Sequence, residues 1–576
     1  MRPPSPSLQR FRSILTTRRR LVATGGTAAV LGGLATRLPG FAQGEATPPP
    51  ATPAGEEPEV APGTPVATPE AALPAIPPEF ETETNWPVEG GDLSATREGR
   101  GSSISTDTID QLGLAWTLPV SGVAIFGALV ANPIVAGDTV FIQDGKSNVY
   151  AVKKDSGEQL WYNEYNDEVP TGGPNGLAVG YGTVVIPLGS GVVIGAKADT
   201  GEEIWRSDIS GPMAEGITSA PLIHDGTVYI STVPGNIEAF YQPGQRGVVH
   251  ALDIRNGKVI WYFDTTTGNL WGNFRVNSGG GLWHPPSVDE DGMLYLGVGN
   301  VAPFPGNAEF PGGSSYPGDN DYADSLVRLD PAAGRVDWSI NVTGHNFFDH
   351  DNQLTPILAT VSTDSGDRKV VFGTGKHGYV VAADPESGEE LWRTPVGTHN
   401  ENESLQELGA DESVEIFPGM FGGMLTPGAL ASGMILAPTM NLPFTVSGVE
   451  GTTSSGDFIG PPDELVAVNA ATGEIVWSVE IPTMLVGGAT VANDIVFTGG
   501  LDGVIRGYKI DDGTPVFSYQ APAGTKRKSP ETAYDALIPA GATLIPSEDT
   551  ATPPPEPKAE FVALKIGGEV QATPSA

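Results

Sequence analysis

The sequence predicts an all-β fold, an eight-bladed β-propeller, and three observations carry that expectation. They are a repeated Gly-x-x-x-Trp motif, a turn-rich composition and a sizeable apolar fraction. Among 576 residues there are 76 Gly and 52 Pro, with 39% hydrophobic residues. That balance favours many short strands joined by turns over long helices.

The repeat is an apolar strand, an Asp or Asn, a turn, a Gly, three residues and a Trp. It runs Asp155 through Gly157 to Trp161, Asp199 through Gly201 to Trp205, and Asp253 through Gly257 to Trp261. It continues as Asp330, Gly334, Trp338; Asp384, Gly388, Trp392; and Asn469, Gly473, Trp477, with a seventh copy ending at Phe517 after Gly513. Six of the ten Trp thus share one register, which chance does not produce. Each copy reads as a hairpin, with Asp or Asn and Gly supplying the turn and the Trp opening the next strand as a wedge between sheets. One hairpin cannot bury both faces alone, so the copies must stack. The glycines stand between 40 (Gly473 to Gly513) and 85 residues apart (Gly388 to Gly473). About 40 residues make one four-stranded blade, and longer intervals hold insertions. Seven copies plus a blade shared by the termini, pairing Leu114-Ala115-Trp116 with Glu560 to Lys565, give eight.

The formal net charge of -38 argues against nucleic-acid or anionic-membrane binding and suits either solubility or docking of a basic electron carrier. Cysteine is absent. Disulfides, Cys-ligated zinc, iron–sulfur clusters and covalently attached haem are therefore excluded. The first 42 residues carry seven Arg and no acid, and Arg18-Arg19-Arg20 precede a short Gly/Ala-rich apolar run. Residues 1–42 read as a signal peptide of twin-arginine type, implying export to the periplasm or to the extracellular side or cell envelope, with no transmembrane span. Residues 43–80 read as a disordered Pro/Ala/Thr linker, 81–567 as the propeller and 568–576 as a disordered tail. The Pro-rich stretch Ser547 to Lys558 interrupts the last blade.

The repeat resembles the PQQ repeat, which quinoprotein dehydrogenases share with non-catalytic assembly propellers. Segments outside the repeat resemble the methanol/alcohol dehydrogenase branch in that family's order. They are Gly216-Ile-Thr218-Ser-Ala-Pro221, Gly279-Gly-Gly-Leu-Trp283, Gly297-Val-Gly-Asn300, Pro317-Gly-Asp-Asn320, Gly344 to Asp351, and Gly373-Thr-Gly-Lys376-His-Gly378. The resemblance implies PQQ as cofactor with Ca²⁺ or a lanthanide ion. Trp283 would form the floor under the quinone, while Thr218, Arg246 and Lys376 would contact it. Asn300, Asp349, Asp351 and Gln242 would hold the metal, with Asp349 the catalytic base. The extra carboxylate of Asp351 is the family mark of lanthanide dependence. A flat polyanionic ring wants an aromatic face and cationic donors, and a hard cation wants oxygen ligands.

This chain departs from the family pattern at four places. Thr171-Gly-Gly-Pro174 stands where a vicinal Cys pair is expected. Gln242 stands for a metal-binding Glu, with Glu238 nearby. Phe348 replaces a Trp, and Gly422-Gly-Met-Leu425 replaces Gly-Gly-x-Asn-Trp. Lys376 lies in a Gly-Thr-Gly-Lys run, but His377 breaks the phosphate-loop pattern. His345 and His350 read as supporting rather than ligating residues. Two functions follow. One is an exported enzyme oxidising a small alcohol and passing electrons to a separate acceptor such as a cytochrome. The alternative is a non-catalytic propeller acting as a protein-binding assembly scaffold.

Overall fold

The computed structural model describes residues 73–122, 124, 128–169, 173–234, 241–449, 460–521, 526–530, 538–543 and 559–571. The signal-peptide segment, most of the linker, Thr171, Gly172, Glu238 and the stretch 547–558 lie outside them. Among the described residues, helix is limited to Gly268–Trp271 and four short 3-10 turns. None is long and apolar enough to cross a membrane.

Seven four-stranded antiparallel sheets follow one another, over residues 134–163, 178–208, 222–264, 287–341, 357–395, 429–481 and 490–520. They are blades 1 to 7. The expected count of eight is therefore corrected to seven blades with fully described strands. The terminal sheet does pair Leu112–Val120 with Ala559–Ile566, with Trp116 opposite Ala563. Its two further strands, Lys526–Pro530 and Ile538–Thr543, are described in backbone only. The low-complexity insertion splits exactly this sheet, so local pattern could not fix its content.

The repeat does what its chemistry implies. In each copy the Gly has positive φ, as in Gly257 at 69°, and lies under the Trp ring of the preceding blade. Trp161 covers Gly201, Trp205 covers Gly257, Trp261 covers Gly334 and Trp392 covers Gly473. The indole N–H then donates to a carbonyl of the next blade: Trp205 to Ile254 at 2.7 Å, Trp261 to Pro331 at 2.7 Å and Trp477 to Ile510 at 2.7 Å. Trp116 plays the same part without the preceding motif, covering Gly157 and donating to Lys154 at 2.7 Å. Each wedge thus joins burial to a directional bond, which fixes the angle between blades.

A strap over residues 86–99 crosses the centre of the ring. It exchanges backbone hydrogen bonds with Val135, Val179, Val288, Leu358, Leu430 and Val491. These belong to the first strands of six blades, so those strands line the axis. Arg97 is buried in the strap and donates to Ala489 O, Glu89 O, Asn132 Oδ1 and Thr490 Oγ1. Residues 73–80, within the stretch read as linker, pack on blades 2 and 3. Tyr181 donates to Pro74 O and Asp225 to Ala75 O.

Candidate active site

The site residues gather where blades 4 and 5 meet. Asn300 follows the second strand of blade 4 (Leu294–Gly297), Asp349 and Asp351 lie in the connection to blade 5, and Lys376 sits in a blade 5 turn. Close backbone approaches hold them there. A Cβ on Gly375 would collide with the carbonyl of Asp351, so the Gly-Thr-Gly-Lys run exists to let these two segments touch. The triple glycine before Trp283 has a similar cause. A Cβ on Gly279 would lie 2.5 Å from the Asn300 carbonyl, and Gly247 and Gly281 abut each other.

The Lys376 ammonium bridges Asp349 Oδ2 at 3.0 Å and Asp351 Oδ2 at 2.5 Å. Asp351 Oδ1 accepts the backbone N–H of Asn300 at 2.6 Å, and the Asn300 side-chain oxygen accepts from the Tyr241 hydroxyl at 3.2 Å. All three acceptor residues are buried. Burial alone would lower the Lys376 pKa, but the charges of Asp349 and Asp351 outweigh it and raise it, so the ammonium stays charged. His350 is pushed down to about 4 by burial and is neutral, its Nε2–H donating to Pro418 O at 2.8 Å. Among the described residues, no three His, Asp or Glu side chains form a ready-made metal cage. The ammonium stands between the two carboxylates instead.

Trp283 is framed by glycines. A Cβ on Gly299 would meet its Nε1 at 2.9 Å, and one on Gly173 would meet its benzo ring at 2.8 Å and Thr218 Oγ1 at 3.4 Å. Thr218 Oγ1 is buried and has no hydrogen-bond partner among the described residues. The structure therefore brings together two groups, Trp283 with Thr218 and Asn300 with Asp349, Asp351 and Lys376, joined through Gly299–Asn300. It does not bring in Arg246, which pairs with Asp264 at 2.7 Å at the partly exposed edge of blade 3. Gln242 forms a turn with Gln245, its N–H donating to Gln245 Oε1 at 2.9 Å, one residue from Tyr241.

Sequence reasoning missed Asp324, Tyr241 and the pair Glu89–His284. Asp324 is buried between the Pro-Gly-Asp-Asn turn and blade 4's third strand, and its N–H donates to Gly299 O at 3.2 Å. Burial, with the charges of Asp351 and Asp349, pushes its carboxyl well above the usual range. His284 Nδ1 meets Glu89 Oε1 of the strap at 2.6 Å, directly after Trp283. None of these sits in a motif, so no spacing signal could have found them.

The comparisons agree with this division of the chain. A family model described as the glucose/ethanol/alcohol dehydrogenase β-propeller domain matches residues 208–396, the stretch that holds every site residue above except Gly173 and Glu89. One described as outer membrane protein assembly factor BamB matches 79–245 and 443–548, the flanking blades. Both stretches are thus PQQ-type propeller repeats. Quinohemoprotein alcohol dehydrogenase ADH IIB of Pseudomonas putida is 25% identical over 89% of this chain and 82% of its own length. The putative dehydrogenase XoxF of Paracoccus denitrificans is 24% identical over 76% and 83%. Among solved structures, the quinohemoprotein alcohol dehydrogenase of Comamonas testosteroni superposes with a TM-score of 0.72 at 21% identity, covering 85% of this chain and 82% of that one. A europium-containing methanol dehydrogenase gives 0.69 at 18%, covering 85% and 99%. The chain is thus similar along most of its length to PQQ-dependent (quinoprotein) alcohol dehydrogenases, and its central blades match the propeller domain of that class.

Proposed function

We propose that this chain is an exported quinoprotein dehydrogenase that oxidises an alcohol by hydride transfer to metal-bound PQQ and passes the electrons to a separate carrier. The observation that carries the reading is the buried Asp349–Lys376–Asp351 bridge beside Asn300. The residues fit both groups. Gly173 keeps side-chain atoms out of the space between Trp283 and Thr218, and Thr218 offers an unpartnered hydroxyl there. Near Asn300, the buried carboxyls of Asp349 and Asp351 share one ammonium, and oxygen donors of this kind suit a hard cation such as Ca²⁺ or a lanthanide.

When bound, PQQ supplies an electrophilic quinone carbonyl that accepts hydride from the alcohol carbon. Trp283 would give its ring a flat apolar face, and Thr218 Oγ1 would be free to donate to its polar rim. Arg246 would reach a cofactor carboxylate by exchanging its partner Asp264. Asn300 Oδ1, Asp349, Asp351 and Gln242 would hold the cation. Asp349 would take the alcohol proton, and the Lys376 ammonium, 3.0 Å from its Oδ2, would hold that carboxylate in place. Without cysteine for haem attachment, electrons leave to a separate acceptor such as a cytochrome. The Arg-rich start of the chain supports export.

The scaffold alternative is favoured by the assembly-factor match of the flanking blades. One experiment separates the two: the mature protein is given PQQ with Ca²⁺ or La³⁺, and alcohol-dependent reduction of an acceptor dye is followed. Turnover lost in Asp349→Ala supports the enzyme. Absence of PQQ binding with either ion rejects it in favour of the scaffold.

A further inference from the structure

The strap over residues 86–99 meets the loop that carries Trp283 through a buried side-chain pair. His284 Nδ1–H donates to Glu89 Oε1 at 2.6 Å, and the two side chains are 4% and 2% exposed. The proposed reaction uses neither. Residues 281–286 lie between the strands Ser278–Gly280 and Ser287–Val288, outside any strand pairing. Leu282 N–H donates to Ser231 Oγ at 3.1 Å, and Pro285 O accepts from Thr355 Oγ1 at 2.8 Å. Trp283 and His284 stand between those two anchors. Glu89, by contrast, is a fixed post: its carbonyl accepts from Trp86 Nε1 at 3.2 Å and from Arg97 Nη1 at 3.0 Å. Glu89 Oε2 and His284 Nε2 are buried without a hydrogen-bond partner among the described residues. A buried polar pair with one bare atom on each side costs stability that an apolar pair of similar volume would not. What such a pair adds is direction, because a hydrogen bond fixes an angle and an apolar contact does not.

We propose that Glu89 and His284 are a positioning pair for the cofactor floor, through which the strap sets the tilt of the Trp283 ring. The inference rests on the quinone-binding reading above and adds the residues that align the face it uses. The ring has little room to turn, since a methyl at Gly299 would strike it at 2.9 Å and one at Gly173 at 2.8 Å. A small rotation therefore changes the space beside Thr218 Oγ1, which the same Gly173 borders. The coupling is reciprocal: if the strap aligns Trp283, a flat ring stacked on Trp283 steadies the strap. The strap bonds to the first strands of six blades, so this one pair ties the floor of the site to the centre of the ring.

The test uses the mature wild-type protein, Glu89→Leu and Glu89→Gln. Leu keeps much of the volume and removes the acceptor, while Gln keeps an acceptor oxygen in the same place. PQQ is titrated into each with Ca²⁺ or La³⁺, and the induced circular dichroism of the bound quinone is followed. Amide hydrogen exchange of the strap is recorded in the wild type with and without PQQ. Glu89→Leu is expected to weaken PQQ binding about 10-fold, the upper scale of one aromatic stacking contact, and to alter the induced band. Glu89→Gln is expected to keep the wild-type affinity and band. PQQ is expected to slow exchange at residues 86–99 in the wild type, a readout that stands even if Glu89→Leu does not fold. Wild-type affinity and band in Glu89→Leu overturn the assignment, as does strap exchange that PQQ leaves unchanged. An equal loss in Glu89→Gln and Glu89→Leu also overturns it, because the hydrogen bond would then not be what aligns the ring. Failure of the wild type to bind PQQ with either ion rejects the quinone-binding reading itself, on which this inference depends.

Discussion

Replacing Lys376 with Met tests the electrostatics of the site most directly. The ammonium is the shared partner of two carboxylates that are only 3% and 1% exposed. Met keeps most of the side-chain volume and removes the charge. Breaking one partner out of a buried ion pair costs about 3–5 kcal/mol, because the remaining charge is left without compensation. Unfolding entropy of about 2.1 cal/mol/K per residue gives roughly 1 kcal/mol/K for a propeller of about 490 residues. The metal-free variant should therefore melt about 3–5 °C lower than the wild type. A cation between Asp349 and Asp351 replaces the missing charge, and at 100 times its dissociation constant it returns about 2.7 kcal/mol. Differential scanning fluorimetry with and without La³⁺ reads both effects. The reasoning fails if the variant melts with the wild type without metal, or if La³⁺ stabilises the variant no more than the wild type.

Other parts of the structure give independent expectations. Trp205→Ala removes a buried ring and its 2.7 Å bond to Ile254, and should cost about 3–5 kcal/mol in denaturant unfolding; a loss below 1 kcal/mol would mean the wedges do not set blade packing. Gly257→Ala should also destabilise, because φ is 69° and the new methyl would meet the Trp205 ring. Arg97→Met leaves four buried acceptors without their donor, so limited proteolysis should cut the strap over 86–99 faster than in the wild type, with unchanged cleavage as the contrary result. Burial pushes His250 down to about 4 against a normal 6.5, so the unfolded chain takes up a proton that the folded one refuses. Its effect is nil above pH 6.5, and stability is lost as pH falls from about 6.5 to 4, by roughly 3 kcal/mol; His250→Gln should flatten that part of the profile.

The sequence by itself determined the hairpin, the Trp register and hence the ring of blades, because a turn and the wedge four residues later are local facts. It also singled out Asn300, Asp349, Asp351 and Lys376, each in a short segment outside the repeat, and the fold brings the four residues together. Only the fold showed why three glycines precede Trp283, by setting Gly281 against Gly247 of blade 3 and Gly279 against the Asn300 carbonyl. Tertiary structure alone decided the rest. Arg97 meets Ala489 across 392 positions, Glu89 meets His284 across 195, and the Asp324 N–H reaches Gly299 O only because blade 4 folds back on itself. It also paired Arg246 with Asp264 across blade 3, a partner the segment did not signal. Such pairings have no spacing signature: they arise from closing a ring, which brings the ends of different blades to one axis regardless of their distance along the chain.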